Sequence, residues 1–196
     1  MHATLLGPYV EEMVSMADNH AIPIDAVAVS RGPGSYTGLR IGASMAKGLC
    51  YARGLRLVAV DTLRLMCVPV LLYRDDVPED ALYCPMIDAR RMEVYTALYD
   101  RALREVMSVR AMVVDEDSFA DVLGERTVVF MGDGAEKCKG AIGGRNALFI
   151  DGVRPLAKNM LPLAEQMLAR GETEDVAGFE PFYLKNFVPT VAKKLF

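Results

Sequence analysis

The chain has 196 residues, 52% hydrophobic and 24% charged, which is enough for one ordinary core or two small lobes and excludes a disulfide-stapled miniature or a disordered tail. Its longest apolar run, residues 65–73, is far short of the roughly 20 residues that a membrane-spanning helix needs, and residues 1–8 lack the pattern of a secretory signal, so a cytoplasmic location is expected. A net charge of -4 and a pI near 5.3 argue against a protein that grips nucleic acid by itself, although a local basic patch stays open.

Residues 5–17 place Leu6, Tyr9, Val10, Met13, Met16 and Ala17 at helical spacing, with Pro8 in the first turn, where a missing amide donor costs little. A loop over 19–23 leads to a strand over 24–30, and Thr37 begins a second helix that runs to Arg53 and is capped by Gly54. A strand over 55–60 precedes a third helix from Asp61-Thr62 to about Tyr73, bent or interrupted at Pro69. Strand, helix, strand, helix with short links implies a parallel α/β layer.

Beyond a turn-rich stretch at 74–80 the pattern changes. Strands over 82–88 and 94–100 form a hairpin around 89–93, with a third strand near 106–113. Next come a short helix over 115–123, capped by Asp115 or Asp117, a buried strand over 127–131 stopped by Gly132-Asp133-Gly134, and a strand over 146–150. An amphipathic helix over 156–170 and an extended aromatic tail over 179–196 complete the chain. The lobe boundary falls between residues 78 and 79, giving lobes of 1–78 and 79–196, with the last helix and tail available to pack back on the first.

Candidate chemistry is sparse. Cys50, Cys67, Cys84 and Cys138 form no Cys-x-x-Cys pair, and His2 and His20 stand outside any ligand spacing, so buried thiols, surface histidines and no metal site are expected. Residues 30–42, Ser-Arg-Gly-Pro-Gly-Ser-Tyr-Thr-Gly-Leu-Arg-Ile-Gly, join a strand to a helix. Gly32, Gly34, Ser35, Thr37 and Gly38 could cradle a phosphate or simply build a turn; they lack the spacing of the known phosphate fingerprints.

Gly38, Gly42 and Ala46 recur along the helix with Ala43 and Gly48 beside them. Interior glycines cost about 1 kcal/mol each relative to alanine, so another backbone must come close: the chain's own sheet, or a partner that also meets Leu5, Leu6, Tyr9 and Met13. Asp88-Ala89-Arg90-Arg91-Met92-Glu93 reads as a hairpin turn with solvated charges before it reads as an acid/base pair.

These segments, with Ala46-Lys47-Gly48-Leu49, Val60-Asp61-Thr62-Leu63 and Pro181-Phe182-Tyr183-Leu184-Lys185, resemble the TsaB (YeaZ) family over nearly the whole chain. The resemblance implies a two-lobed actin-like ATPase fold and a non-catalytic role in making threonylcarbamoyladenosine at tRNA position 37. The partners it implies are TsaD and TsaE, which carry the ATP and metal; tRNA is met only through the complex. It places the partner surface, for TsaD or a second copy, on the first two helices, at Leu5, Leu6, Tyr9, Met13, Leu39, Arg40, Ala43 and Lys47. No catalytic residue is expected. Family members open with strands that precede the first helix, so a first lobe without its opening strands is the expectation. A stand-alone ATPase or peptidase using the loop from Gly32 to Gly38 is the alternative.

Overall fold

The computed structural model describes residues 2–185, with the side chains of residues 2–4 left undescribed. The expectations for the His2 side chain and for residues 186–196 lie outside the described residues.

Helix α1 (His2–Asn19) is followed by strand β1 (Ala26–Gly32), α2 (Tyr36–Arg53), β2 (Arg56–Asp61) and α3 (Thr62–Tyr73). Helix α2 is stopped at both ends by local chemistry. The Ser35 hydroxyl accepts from the Gly38 amide at its start, and Gly54 takes the left-handed conformation (φ 65°) at its end. Strands β1 and β2 pair in parallel, and among the described residues they make a two-stranded sheet. One face of this sheet packs on Ala43, Ala46 and Cys50 of α2.

The second sheet contains β3 (Leu82–Asp88), β4 (Glu93–Tyr99), β5 (Glu105–Val113), β6 (Val128–Met131) and β7 (Ala147–Ile150), in the order β5-β4-β3-β6-β7. The hairpin neighbours are antiparallel, and β3, β6 and β7 are parallel. Alternation sends Tyr83, Tyr99, Val129 and Met131 to a core shared with α3. Cys84, Met86, Val128 and Phe130 face the opposite core, with Phe119 and Leu123.

Four expectations are revised. Helix α3 runs unbroken through Pro69: its Leu63, Met66, Cys67 and Val70 are buried against the second sheet, and that burial outweighs one lost backbone bond. Helix α4 (Ala120–Glu125) starts later than predicted, because Asp115 and Ser118 bond each other in a turn instead of capping it. The Gly132-Asp133-Gly134 turn is the start of a six-residue helix, α5 (Asp133–Cys138). The last helix is divided into a 3-10 turn (Ala157–Met160) and α6 (Leu161–Ala169), with Pro162 in the first turn of α6.

No residue boundary separates the lobes cleanly. Leu65 of α3 packs with Val58, Val60 and Ala164 under the first sheet while its neighbours fill the second core, so α3 is a wall common to both. Helix α6 lies on the face of the first sheet opposite α2, with Met160, Leu163 and Met167 against it.

Candidate functional site: an exposed two-helix face and a tied loop

Helix α1 is amphipathic, yet no residue from 5 to 19 is fully buried. Its C-terminal end is fixed by a two-pronged pairing in which Arg53 donates to both carboxylate oxygens of Asp18, at 2.6 and 2.9 Å; this hydrogen bonding also lowers the Asp18 pKa from the ordinary range. Near the other end Gly7 lies over the methyl of Met45. Outward from this seam α1 presents Leu5, Tyr9, Met13 and Met16, all exposed, Tyr9 to 59%. The groove between α1 and α2 encloses about 820 Å³ and is lined by Val10, Tyr36, Arg40, Ser44, Met45 and Gly48 among others. Tyr51, one turn further along α2, is 88% exposed. An apolar surface of this kind on two adjacent helices is unusual unless another chain covers it.

The predicted partner residues divide. Leu5, Tyr9, Met13 and Arg40 are on this open face, and Leu6 is half-buried beside it. Leu39 and Ala43 are turned inward, 8% and 5% exposed, and Ala43 sits in the core under the first sheet. Lys47 is occupied within the chain, donating to the carbonyls of Ala177 and Phe179 at 2.8 and 2.9 Å. The correction follows from helical rotation: positions 39, 43, 46 and 50 share the inward side, so 40, 44, 48 and 51 face out. Of the small residues, a Cβ placed on Gly42 would meet Val29 of the chain's own sheet at an ordinary 3.7 Å, and nothing lies within 4 Å of one placed on Gly48.

The loop from Gly32 to Gly38 is tied down by the chain itself. The Gly32 amide donates to Thr62 Oγ1 at 3.1 Å, and that hydroxyl also pairs with Ser30 Oγ. Gly32 has φ 114°, and a Cβ there would come within 2.5 Å of the Phe182 carbonyl oxygen, so only glycine fits. The Gly38 amide is used by Ser35. Two amides that a phosphate would recruit are thus bonded internally, and the geometry is that of a structural turn. Gly34, Ser35 and Thr37 line an inter-lobe cleft of about 580 Å³ opposite Asp88, Arg90, Asp133 and Lys185, two carboxylates and two cations.

The Asp88–Glu93 segment is the predicted hairpin; Arg90 and Arg91 are exposed, whereas Asp88 and Glu93 are engaged. Lys137 donates to Asp88 Oδ1 and to the Glu93 carbonyl, and the Arg90 and Asp88 amides bind the Asp88 and Asp133 carboxylates respectively. The Lys137 ammonium holds the Asp88 carboxyl below the usual range, which suits an ionised anchor and not a general acid. Among the described residues no group of three His, Cys, Asp or Glu side chains could hold a metal ion.

The sequence leaves the tail available to pack back on the first lobe but does not name the anchors of the strap over 174–185. The Glu174 amide pairs with the Leu57 carbonyl and the Phe182 amide with that of Arg31, Phe179 is buried in the first core, the Tyr183 ring packs tilted against Tyr36 with centroids 4.9 Å apart, and Lys185 pairs with Glu93. It joins the first lobe to the hairpin of the second. The aromatic composition of the tail was the available signal for its packing, but not for the residues it meets.

Comparison with known proteins agrees with this architecture. Residues 1–188 match the family model of TsaD, tRNA N6-adenosine threonylcarbamoyltransferase. The chain is 33% identical over 193 residues to the tRNA threonylcarbamoyladenosine biosynthesis protein TsaB of Escherichia coli K12, covering 95% of this chain and 82% of that protein. It is 29% identical to the Bacillus subtilis 168 protein of the same name, covering 94% and 80%. The crystal structure of YeaZ from Pseudomonas aeruginosa superposes with a TM-score of 0.72 at 27% identity, over 94% of this chain and 85% of that one. The fold is therefore of the actin-like type, and the chain belongs to the TsaB (YeaZ) family.

Proposed function

We propose that this chain works in tRNA threonylcarbamoyladenosine biosynthesis as a non-catalytic subunit that binds and activates TsaD through the open face of α1 and α2. The involvement in that biosynthesis rests on the TsaB relatives. The observation that carries the finer reading is the exposed Leu5, Tyr9, Met13 and Tyr51 surface beside the Gly48 groove. In this reading ATP and metal sit on TsaD and TsaE, and tRNA is modified on TsaD. The internal bonding of the Gly32 and Gly38 amides weighs against a stand-alone ATPase.

Size-exclusion chromatography with purified TsaD tests it. Tyr9→Glu with Met13→Glu, both exposed, should abolish co-elution without lowering the melting temperature; a doubly charged variant that still co-elutes refutes the assignment of the face. Light scattering of the chain alone at several concentrations shows whether a second copy covers the same helices when TsaD is absent.

A further inference from the structure

On the side of the first sheet away from α1 and α2, three elements converge on a groove of about 400 Å³: α3 contributes Arg64, the turn between β4 and β5 contributes Arg101 and Arg104, and the end of α6 contributes Arg170. Four guanidiniums around one groove are unexpected on a chain whose net charge is -4. Their pairing is uneven. Arg104 is held by Asp100 at 2.7 Å. Arg170 is 3.8 Å from Glu172 and Arg64 is 3.9 Å from Asp61, beyond hydrogen-bond distance, and Asp61 is shared with Arg31 at 3.6 Å. Arg101 forms no ion pair among the described residues; its neighbour is the neutral Tyr83 hydroxyl. The Nε–H of Arg64 is buried and meets no acceptor. The Arg64 guanidinium also lies over the Tyr99 ring, 5.8 Å from its centroid.

We propose that this groove takes the phosphate backbone of the RNA substrate, with Arg64, Arg101 and Arg170 as the phosphate contacts. The guanidinium fork matches phosphate oxygens. The site is an open groove rimmed by exposed arginines, Arg104 being 81% and Arg170 59% exposed, and it suits a passing chain of phosphates better than one enclosed anion. The inference rests on the reading of the chain as part of the tRNA-modifying assembly. It supplies what that reading leaves out: a place where this acidic subunit adds to the grip on tRNA. Contacts of this kind carry no sequence information and weaken with salt.

The test is fluorescence anisotropy with labelled tRNA and the full chain assembled with TsaD, between about 50 and 200 mM salt. Arg101→Glu with Arg170→Glu should weaken binding at least about tenfold and reduce the slope of log affinity against log salt by roughly two. Arg126→Glu with Arg145→Glu, the same charge change at exposed positions outside the groove lining, should lose much less. Unchanged affinity in Arg101→Glu/Arg170→Glu, or equal losses in the two double variants, overturns the proposal. So does displacement of tRNA by inorganic phosphate at matched ionic strength, which would assign the groove to a small anion. Co-elution with TsaD should be retained in Arg101→Glu/Arg170→Glu, so that a failed groove and a failed TsaD interface give different results.

Discussion

Removing the Phe179 side chain is expected to detach the strap from the first lobe. Phe179 is 5% exposed and packs among Ala43, Ala46, Cys50, Leu57 and Ala59. Phe179→Ala should cost about 3–5 kcal/mol, because the small side chains around it cannot collapse into the space. At about 2–4 °C per kcal/mol for a chain of this length, the melting temperature should fall by about 6–20 °C. Lys47→Met keeps the stem and removes the ammonium that bonds the Ala177 and Phe179 carbonyls. Lys47 is half-exposed, so water replaces part of that bonding and the loss should be about 1–2 kcal/mol, at the lower end for charge-assisted bonds. The two side chains hold one segment, so the double variant should lose less than the sum by at least about 0.5 kcal/mol. Urea titration followed by far-UV circular dichroism, with calorimetry for the melting temperature, measures all three. A loss below about 1 kcal/mol for Phe179→Ala, or strict additivity, would show that strap and first lobe are not one packing unit.

Gly48→Ala should stabilise the isolated chain by about 0.5–1 kcal/mol, since nothing lies near the added methyl and a helical glycine is replaced; the same change should weaken association with TsaD, measured by titration calorimetry. Lys137 depresses the folded-state pKa of Asp88, so the stabilisation from this pair is present above the unfolded carboxylate range, near pH 4, and is lost as the pH falls through the lower folded value. Acid unfolding curves of wild type and Asp88→Asn should accordingly converge at the acid end. Burial raises the pKa of the Cys67 and Cys84 thiols, that of Cys84 to about 12, and Cys50 and Cys138 are also buried. A thiol reagent at pH 8 should therefore react slowly with native protein and with four thiols after denaturation, and a fast-reacting native thiol would contradict the packing.

The strands of the second lobe were legible because each is an apolar run ended by turn residues. Asp88-Ala89-Arg90-Arg91 closes β3 as clearly as Gly132 closes β6. Helix α5 was not, being six residues long and opening Asp133-Gly134; it forms where Gly132, at φ 97°, lets the chain pass against the Met86 carbonyl, a tertiary fact that no local period records. At the candidate interface α1 was readable, since Leu5, Tyr9 and Met13 stand four apart on one side. Helix α2 was not, because small residues surround it and periodicity could not say which side met the sheet. Leu39, Ala43 and Lys47 were placed outward for that reason. The anchors of the strap were not legible because they are set by contacts such as Lys47 with Ala177, 130 residues apart.

That separation reverses the order in which the lobes can be finished. The strands and helices of the second lobe lie consecutively between residues 82 and 150, so this half can close as soon as it is synthesised. The first lobe is made earlier, but β2 receives its edge contact from Glu174 and its core receives Phe179 only when the end of the chain appears. A nascent chain stalled before residue 174 should therefore protect residues 82–150 from protease and leave 26–61 open to cleavage. The half of the molecule that emerges first from the ribosome is completed last, and until then it depends on the cell to keep its unfinished sheet from pairing with other chains.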